Sequence, residues 1–427
     1  MITIRLFSKE KTTYVFLTAL VPLLLVYIPK PPIPGSQFII YPVLAVIFLV
    51  LIVSLSTQKK LFINAKIKFL LLLLFLYDII LVISFLINAS ELRSTAPLEL
   101  FRPLLLTIFL LYGYYMGCLA NQDSLEKGLL IAAYAIILGQ LVIAIAQALG
   151  FNYFNFLYSA SKSREFGTIF RVTGSLGNPN NMAWVISNSA VMVSFLADRK
   201  QKNYWIIIII AFILVVMSSS RTMLLLSPLM IISSIFLSKK NNKQKLIYLG
   251  SISIFISIFI FYVFGLYSKY FPYILQLKTV FESGSFMSIN SFAHRTIHWG
   301  NVYQEFYSAG FLNHILGLGS RQIVKTVDND FLYVLYRVGW FGLSIHLLII
   351  FYCLLILNKS KIKKIAAIGR HYLFFALVFG MVAETLASWY QPLLLFFILG
   401  LNIGFSEKTM RQASFNDKFN ISLISSR

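Results

Sequence analysis

Long apolar runs separated by short polar stretches dominate the pattern of this chain. A helix of about 20 apolar residues is needed to cross the hydrocarbon core of a bilayer. Twelve runs of about this length predict an all-α, polytopic membrane protein with about 12 transmembrane helices. The runs are 13–29, 38–55, 69–87, 100–120, 128–149, 181–197, 204–220, 222–238, 246–265, 331–357, 371–388 and 391–405. They form a single integral membrane domain over 1–427.

The stretch 204–238 is almost uninterrupted, and one straight helix of that length would be far longer than a bilayer is thick. Its polar interruption is Ser218-Ser219-Ser220-Arg221, so we expect the chain to fold back there. Arg221 would then lie at the outer membrane boundary. It either contacts an anion or reaches outward to lipid headgroups.

Charge sets the expected topology. The chain has 427 residues, 58% hydrophobic and 12% charged, with a net charge of +22. Its basic residues gather between apolar runs, as on the cytoplasmic side of membrane proteins, and this placement argues against nucleic-acid binding. The clusters are Lys59, Lys60, Lys66 and Lys68; Arg199, Lys200 and Lys202; Lys239, Lys240, Lys243 and Lys245; and Lys359, Lys361, Lys363 and Lys364. Both termini are therefore predicted to be cytosolic, with residues 406–427 a disordered polar tail.

The segment 267–330 is the longest polar interval and is predicted to be one large extracytoplasmic loop late in the chain. Within it, Ile297, Val302 and Phe306 have near-helical spacing, which predicts an amphipathic helix at the membrane surface. His294 and His298 are four residues apart, but no adjacent glutamate completes a zinc-protease motif. We therefore expect no metal site. Arg295 beside them is better suited to an anion.

Several other polar residues have both a structural and a functional interpretation. Asn178-Pro179-Asn180 is a turn sequence before a run, and Asn180 or Asn181 can cap the helix that follows. The functional alternative is that Gly174, Gly177 and this helix N-terminus present backbone N–H groups to an anion. Asp328 and Asp330 open another run and either stabilise a helix N-terminus or contact substrate.

Ionisable residues and cysteines inside apolar runs give further expectations. Asp78 falls within an apolar run and is predicted to pair with Arg102. Glu384 is a weaker candidate for lining a cavity. Cys118 and Cys353 also lie in apolar runs and are expected to be small buried side chains rather than a disulfide.

Four motifs occur in an order that resembles the O-antigen ligase and polymerase superfamily. They are GSLGNPNN at 174–181, SSSRT at 218–222, HRTIHW at 294–299 with GLGS at 317–320, and DNDFLYVLYRVGWFG at 328–342. The resemblance covers roughly 171–342, together with the late position of the large loop. This superfamily contains Wzy-type polysaccharide polymerases, lipopolysaccharide O-antigen ligases and bacterial O-linked oligosaccharyltransferases.

The resemblance implies a GT-C-like, metal-independent glycosyltransferase without a cofactor, in the bacterial cytoplasmic (inner) membrane with its active site facing outward. Donor and acceptor would be glycans on undecaprenyl diphosphate. Membrane lipids and a polysaccharide chain-length regulator are further expected partners. By analogy, Arg221 and Arg295 hold the diphosphate and Asp328 acts as the base. The expected substrate contacts are Arg171, Asn178, Asn180, His294, His298, Arg321, Asn329 and Asp330.

Within the superfamily the chain is most similar to the Wzy-type polymerases, which implies that it joins lipid-linked oligosaccharide repeat units into a long surface polysaccharide. Two alternatives to a polymerase remain. Ligases and O-linked transferases, which move the finished glycan to lipid A core or protein, usually carry His-Asn where this chain has Asp328-Asn329. An aspartate there is commoner in polymerases. A transporter or flippase of lipid-linked sugars also has about twelve helices. The absence of an internal repeat in the sequence argues against that alternative.

Overall fold

The computed structural model describes residues 2–30, 36–58, 63–92, 99–158, 171–199, 202–238, 282, 284–285, 290–321, 327–383, 385–386 and 391–425. The regular elements among them are helices, which confirms the predicted all-α class for this part of the chain. The first six are α1 (Ile2–Tyr27), α2 (Ser36–Gln58), α3 (Ala65–Ile87), α4 (Phe101–Leu119), α5 (Gln122–Ala148) and α6 (Asn152–Leu157). The next five are α7 (Pro179–Leu196), α8 (Lys202–Ser218), α9 (Arg221–Leu237), α10 (Asn290–Ser308) and α11 (Phe311–Leu316). The last three are α12 (Asp330–Asn358), α13 (Lys363–Gly380) and α14 (Gln391–Ser425).

Helix length and composition fit a membrane-embedded protein. Five of the described helices, α3, α4, α5, α12 and the first part of α14, are long and apolar enough to cross a membrane. Shorter apolar helices cover Lys11–Tyr27, Ile40–Ser56, Asn203–Ser218 and Thr222–Leu237. The ninth predicted run, 246–265, lies outside the described residues, and the total of twelve spans remains a prediction.

The break predicted in the middle of 204–238 is confirmed. Helix α8 ends at Ser218 and α9 begins at Arg221, with Ser219 in the left-handed region at φ 50°. The Ser220 hydroxyl accepts a hydrogen bond from the Met223 N–H at 3.4 Å and so caps α9. A serine-rich interruption therefore separates two apolar helices that both pack on α7.

Two predicted boundaries are wrong. The run 371–388 is not one helix, because α13 begins at Lys363 and ends at Gly380, and Thr385 and Leu386 lie in a turn. The tail after residue 406 is not disordered, because α14 continues to Ser425. Glu407 and Arg411, one helical turn apart on this extension, form an ion pair at 3.0 Å that stabilises the helix. The Lys408 amine donates hydrogen bonds to the carbonyl oxygens of Leu119 and Ala120 at the end of α4.

Glycines on α4 and α14 let these two helices approach to backbone contact. Gly113 and Gly117 of α4 face Gly400 and Gly404 of α14, and each lies against backbone atoms of the other helix. A Cβ atom on Gly404 would overlap the carbonyl oxygen of Tyr114. Small residues four apart let membrane helices approach to backbone contact. These two glycine pairs therefore fix α14, which begins at the candidate site, against α4.

Candidate active site

Arg295 and Asp328 form an ion pair between α10 and the turn before α12. The Arg295 Nε lies 3.1 Å from the Asp328 Oδ2, with side-chain exposures of 27% and 44% respectively. The Trp299 indole N–H, one helical turn further along α10, donates to the Val327 carbonyl oxygen at 2.6 Å. Two contacts thus hold α10 against this turn. The Asp328 carboxylate remains accessible from solution.

The hydrogen bonds at the beginning of α12 show whether Asp328 caps this helix. The Asn329 side chain, not Asp328, caps α12 by accepting a hydrogen bond from the Leu332 N–H at 3.0 Å. Asp328 itself has a left-handed backbone at φ 51°. The interpretation of Asp328 as the helix cap is therefore wrong. Asn329, predicted as a substrate contact, is the cap, and its amide group also donates to the Met381 carbonyl oxygen at 3.1 Å.

Asp330 is buried and joins the beginning of α12 to the segment after α13. Its two carboxylate oxygens accept hydrogen bonds from the N–H groups of Thr385 and Leu386, at 2.8 and 2.7 Å, and the residue is 1% exposed. The predicted substrate contact through Asp330 does not fit this burial, since both oxygens already bind protein backbone. The first turn of α12 directs this side chain into the bundle, two residues beyond the accessible Asp328.

Asparagine side chains join the beginnings of α7 and α9. The Asn178 side-chain oxygen accepts a hydrogen bond from the Asn180 N–H at 2.9 Å, so the cap of α7 is Asn178 and not Asn180 or Asn181 as predicted. The Asn180 side-chain oxygen accepts a hydrogen bond from the Ser220 hydroxyl at 2.7 Å. Arg171 Nε donates to the Ser218 carbonyl oxygen at 3.4 Å. Arg221 is the first residue of α9, and its side chain lies outside the described structure.

The backbone N–H groups around Gly174 are already bonded within the protein. The Gln147 side-chain oxygen accepts from the N–H groups of Thr173 and Gly174 at 3.1 and 3.0 Å, and the Gln140 side-chain oxygen accepts from Ser175 at 3.0 Å. The expectation that Gly174 offers its N–H to an anion is therefore wrong. Two glutamines seven residues apart within an apolar run were the available sequence signal.

The segment between α13 and α14, together with the first residue of α14, contacts the beginning of α12 and the beginning of α7. Asp330 binds it at Thr385 and Leu386, and Gln391 at its end donates through its amide to the Asn181 side-chain oxygen at 2.9 Å. The beginnings of α7, α9, α12 and α14 therefore lie at one end of the bundle, which we call the site end. Glu384 belongs to this segment but lies outside the described residues.

The Arg321 guanidinium is occupied by carboxylates of the protein itself. Its guanidinium lies 2.9 Å from Glu91 Oε2 and 3.7 Å from Glu305 Oε1, and it donates to the Asn88 side-chain oxygen at 2.9 Å. Glu305 also accepts a hydrogen bond from the Tyr336 hydroxyl at 2.7 Å. The predicted substrate role of Arg321 is not supported by these contacts, which instead tie the loop after α3 to α10.

A buried ion pair that the sequence interpretation missed lies behind this network. Glu99 and Arg337 contact each other, and their side chains are 7% and 4% exposed respectively. The Ser320 hydroxyl donates to Glu99 Oε2 at 2.8 Å, and Arg337 donates to the Tyr333 hydroxyl at 2.9 Å. An arginine within the apolar run 331–357 was the signal, because charges in such runs are rare and are usually paired.

The GLGS turn packs on a kink in α12. Gly339 has φ 64° and ψ −170° inside that helix, and Gly317 has φ 85°. The N–H groups of Leu318 and Gly319 donate to the carbonyl oxygens of Tyr336 and Arg337, at 2.7 and 3.1 Å. Both glycines adopt positive φ angles and touch the opposing backbone, a combination that only glycine accepts without strain. This contact joins the loop after α11 to α12.

Three remaining predictions concern histidines and an intramembrane pair. His294 is exposed and His298 is half-buried on α10. Among the described residues, no group of three or more His, Cys, Asp or Glu side chains is arranged to hold a metal ion. Asp78 does not pair with Arg102, because Asp78 lies mid-way along α3 while Arg102 lies in the first turn of α4, at the site end.

The predicted amphipathic face of α10 is confirmed at two of its three residues. Val302 and Phe306 are buried, whereas Ile297 is 63% exposed.

The electrostatics of the site end favour an anionic ligand. Four helix N-termini, with their partial positive charge, meet there together with Arg171, Arg221 and Arg295. Burial lowers the pKa of the Lys30 amine, just beyond α1, to about 8. Neither the protein-family models nor the curated proteins contain a match to this chain.

Proposed function

We propose that this protein is a membrane glycosyltransferase that polymerises glycan repeat units carried on a polyprenyl diphosphate such as undecaprenyl diphosphate. The supporting observation is the Arg295–Asp328 pair, an accessible carboxylate held beside a guanidinium at the site end. The resemblance of 171–342 to O-antigen polymerases points to the same chemistry. Asp328, where the ligases carry histidine, favours a polymerase over a ligase.

The residues divide the reaction between charge stabilisation and proton transfer. The acceptor hydroxyl attacks the anomeric carbon of the donor glycan and gives its proton to the Asp328 carboxylate. The bond from that carbon to the diphosphate oxygen breaks, and the polyprenyl diphosphate leaves with the bonding electrons. Arg295 and Arg221 neutralise the charge that develops on the leaving group, together with the α9 N-terminus. General-base help of this kind is worth about 10²–10⁴ in rate.

A reconstitution experiment tests the proposed activity. Purified protein in lipid nanodiscs is mixed with lipid-linked repeat units from the same cells, and the products are separated by size. We expect a ladder of glycans that differ by one repeat unit. Transfer to added lipid A core without a ladder would identify a ligase instead. Movement of the substrate across vesicles with no new glycosidic bond would identify a transporter and contradict the proposal.

Replacing either arginine by lysine should abolish long-chain product. Lysine keeps the charge but not the planar pair of donors that fits a phosphate. We expect Arg221→Lys and Arg295→Lys each to lower the polymerisation rate by about 10²–10³, as loss of a positioned donor to a developing charge does. Initial rates of ladder formation measure this effect.

Arg411→Lys is the matched control for both arginine variants, because Arg411 pairs with Glu407 about 30 Å along α14 from its beginning at the site end. This variant should polymerise at the normal rate. Membrane insertion of all three proteins is checked by detergent extraction and size-exclusion chromatography. Normal ladders from both Arg221→Lys and Arg295→Lys would contradict diphosphate binding by these residues.

A further inference from the structure

Exposed aromatic side chains form a small platform on α10 and α11. The Tyr303 and Tyr307 rings have centroids 4.9 Å apart, and the His314 ring lies 5.7 Å from that of Tyr307. Tyr303 is 45% exposed and Tyr307 57% exposed, although both are large and partly apolar. We call Tyr303, Tyr307 and His314 the aromatic shelf.

Contacts of Phe306 and His314 support the shelf within the protein. Phe306 is fully buried between the two tyrosines along the helix, and its ring lies 5.4 Å from that of His314. The His314 Nε2 is 3.1 Å from the Tyr307 carbonyl oxygen, which joins α11 to the end of α10. A hydrogen bond with Tyr307 raises the pKa of the Tyr303 phenol above its ordinary value, so the two phenols act on each other directly. The rings are therefore presented in a fixed arrangement.

The chemistry around the shelf is polar but almost uncharged. Glu305 is the single charged residue in the sequence between residues 296 and 316, and its carboxylate already binds Arg321 and Tyr336. The amide residues Asn301 and Gln304 are exposed on the same helix as the two tyrosines, and Asn313 lies on α11 with His314. The Asn313 side-chain oxygen is buried and accepts no hydrogen bond. A surface for phospholipid headgroups would carry lysine and arginine instead.

We propose that the aromatic shelf is a binding site for an uncharged oligosaccharide. Sugar rings present an apolar C–H face that stacks on aromatic rings, while their hydroxyls bond to amides and phenols, and tyrosine offers both kinds of surface. Tyr303 and Tyr307 follow Arg295 by eight and twelve residues, so they lie about 12 and 18 Å along α10 from that arginine. This inference rests on the proposed function, in which a glycan of several sugars extends from the diphosphate at Arg295 to the shelf.

A binding measurement without turnover tests the shelf. The probe is the free oligosaccharide released by mild acid from lipid-linked glycans of cells that lack this protein. Its dissociation constant for the full-length protein in nanodiscs is measured by saturation-transfer NMR titration. We expect the double variant Tyr303→Ala/Tyr307→Ala to bind about tenfold more weakly, because two stacking rings are lost. Tyr303→Phe/Tyr307→Phe, which keeps both ring faces, should bind within about threefold of the unchanged protein.

The control is Tyr153→Ala, since Tyr153 is a 70% exposed tyrosine on α6, away from α10. It should leave binding unchanged. Equal binding by the alanine pair, or no binding by the unchanged protein, would overturn the inference. So would an alanine pair that loses only its partition into phosphatidylglycerol vesicles, because the rings would then be lipid contacts. Failure of the polymerase assay is separate, since the oligosaccharide can bind the shelf without any ladder forming.

Discussion

Asp328→Asn should yield a folded, membrane-inserted protein that transfers no repeat units. Asparagine cannot accept the proton of the acceptor hydroxyl, so the loss should be about 10²–10⁴ in rate, the usual contribution of a general base. The ladder assay measures the loss, and single repeat units should accumulate. Full-length polymer from Asp328→Asn would exclude the base role and move the search to His298 or Glu305.

The structure makes this substitution a clean test. Asp328 has a left-handed backbone, which asparagine accepts about as readily as aspartate. Asn329 caps α12, so the helix cap is untouched when Asp328 changes. Asn329→Asp is the matched control, because aspartate caps a helix equally well and loses only the exposed hydrogen bond to the Met381 carbonyl oxygen, so it should keep the folded structure. A fall in activity shared by both variants would indicate a general disturbance of the turn rather than loss of a base.

Asp330→Asn should behave differently from Asp328→Asn. It exchanges one of two buried acceptors for an N–H₂ group that faces a backbone N–H, which leaves buried donors unpaired. The expected result is less folded protein, not a stable inactive enzyme. The recovery of folded protein in size-exclusion chromatography measures this loss, which follows from the 1% exposure of Asp330.

Gly404→Leu should abolish stable folding. The added side chain would meet the backbone of α4 at Tyr114 and Cys118, which cannot move aside as a flexible side chain can. Overpacking usually costs about 1–3 kcal/mol, and a backbone obstacle puts this variant at the upper end or beyond. Thermal unfolding followed by fluorescence in detergent should show a large loss of stability, together with poor recovery in size-exclusion chromatography.

Gly300→Leu is the control for that prediction. Gly300 lies on α10 with no atoms within 4 Å of an added Cβ. Leucine also has a higher helix propensity than glycine, so this variant should be at least as stable as the unchanged protein. If Gly404→Leu unfolds at the same temperature as Gly300→Leu, the close contact between α4 and α14 is not needed for the fold.

Local patterns in the sequence predicted the helices well. Apolar runs located α3, α4 and α12 to within four residues and α5 to within six, and the serine-arginine interruption located the break between α8 and α9. The spacing of Val302 and Phe306 predicted the buried face of α10. These features depend on neighbouring residues, so one sequence contains the information that sets them.

Pairings between distant residues could not be predicted in the same way. Nothing local distinguishes Asp328, which is accessible, from Asp330, which binds Thr385 and Leu386 more than fifty residues away. The partner of an intramembrane charge depends on its depth and on which helices are neighbours, which is why Arg102 was wrongly assigned to Asp78. By contrast, the glycines of α4 and α14 have a spacing that was visible in the sequence and was overlooked.

Several buried contacts at the site end join residues that are synthesised early to residues that are synthesised late. Ser84, Asn88 and Glu99 bind partners on α12 and the GLGS turn that lie 221 to 253 residues further along the chain. Because the ribosome delivers the N-terminal helices first, Glu99 is synthesised long before Arg337 exists to neutralise it. The early helices must therefore wait, incompletely packed, for α12 to emerge. A chain that stops before α12 would leave the Glu99 carboxylate without its arginine and the Ser84 hydroxyl without its backbone acceptor.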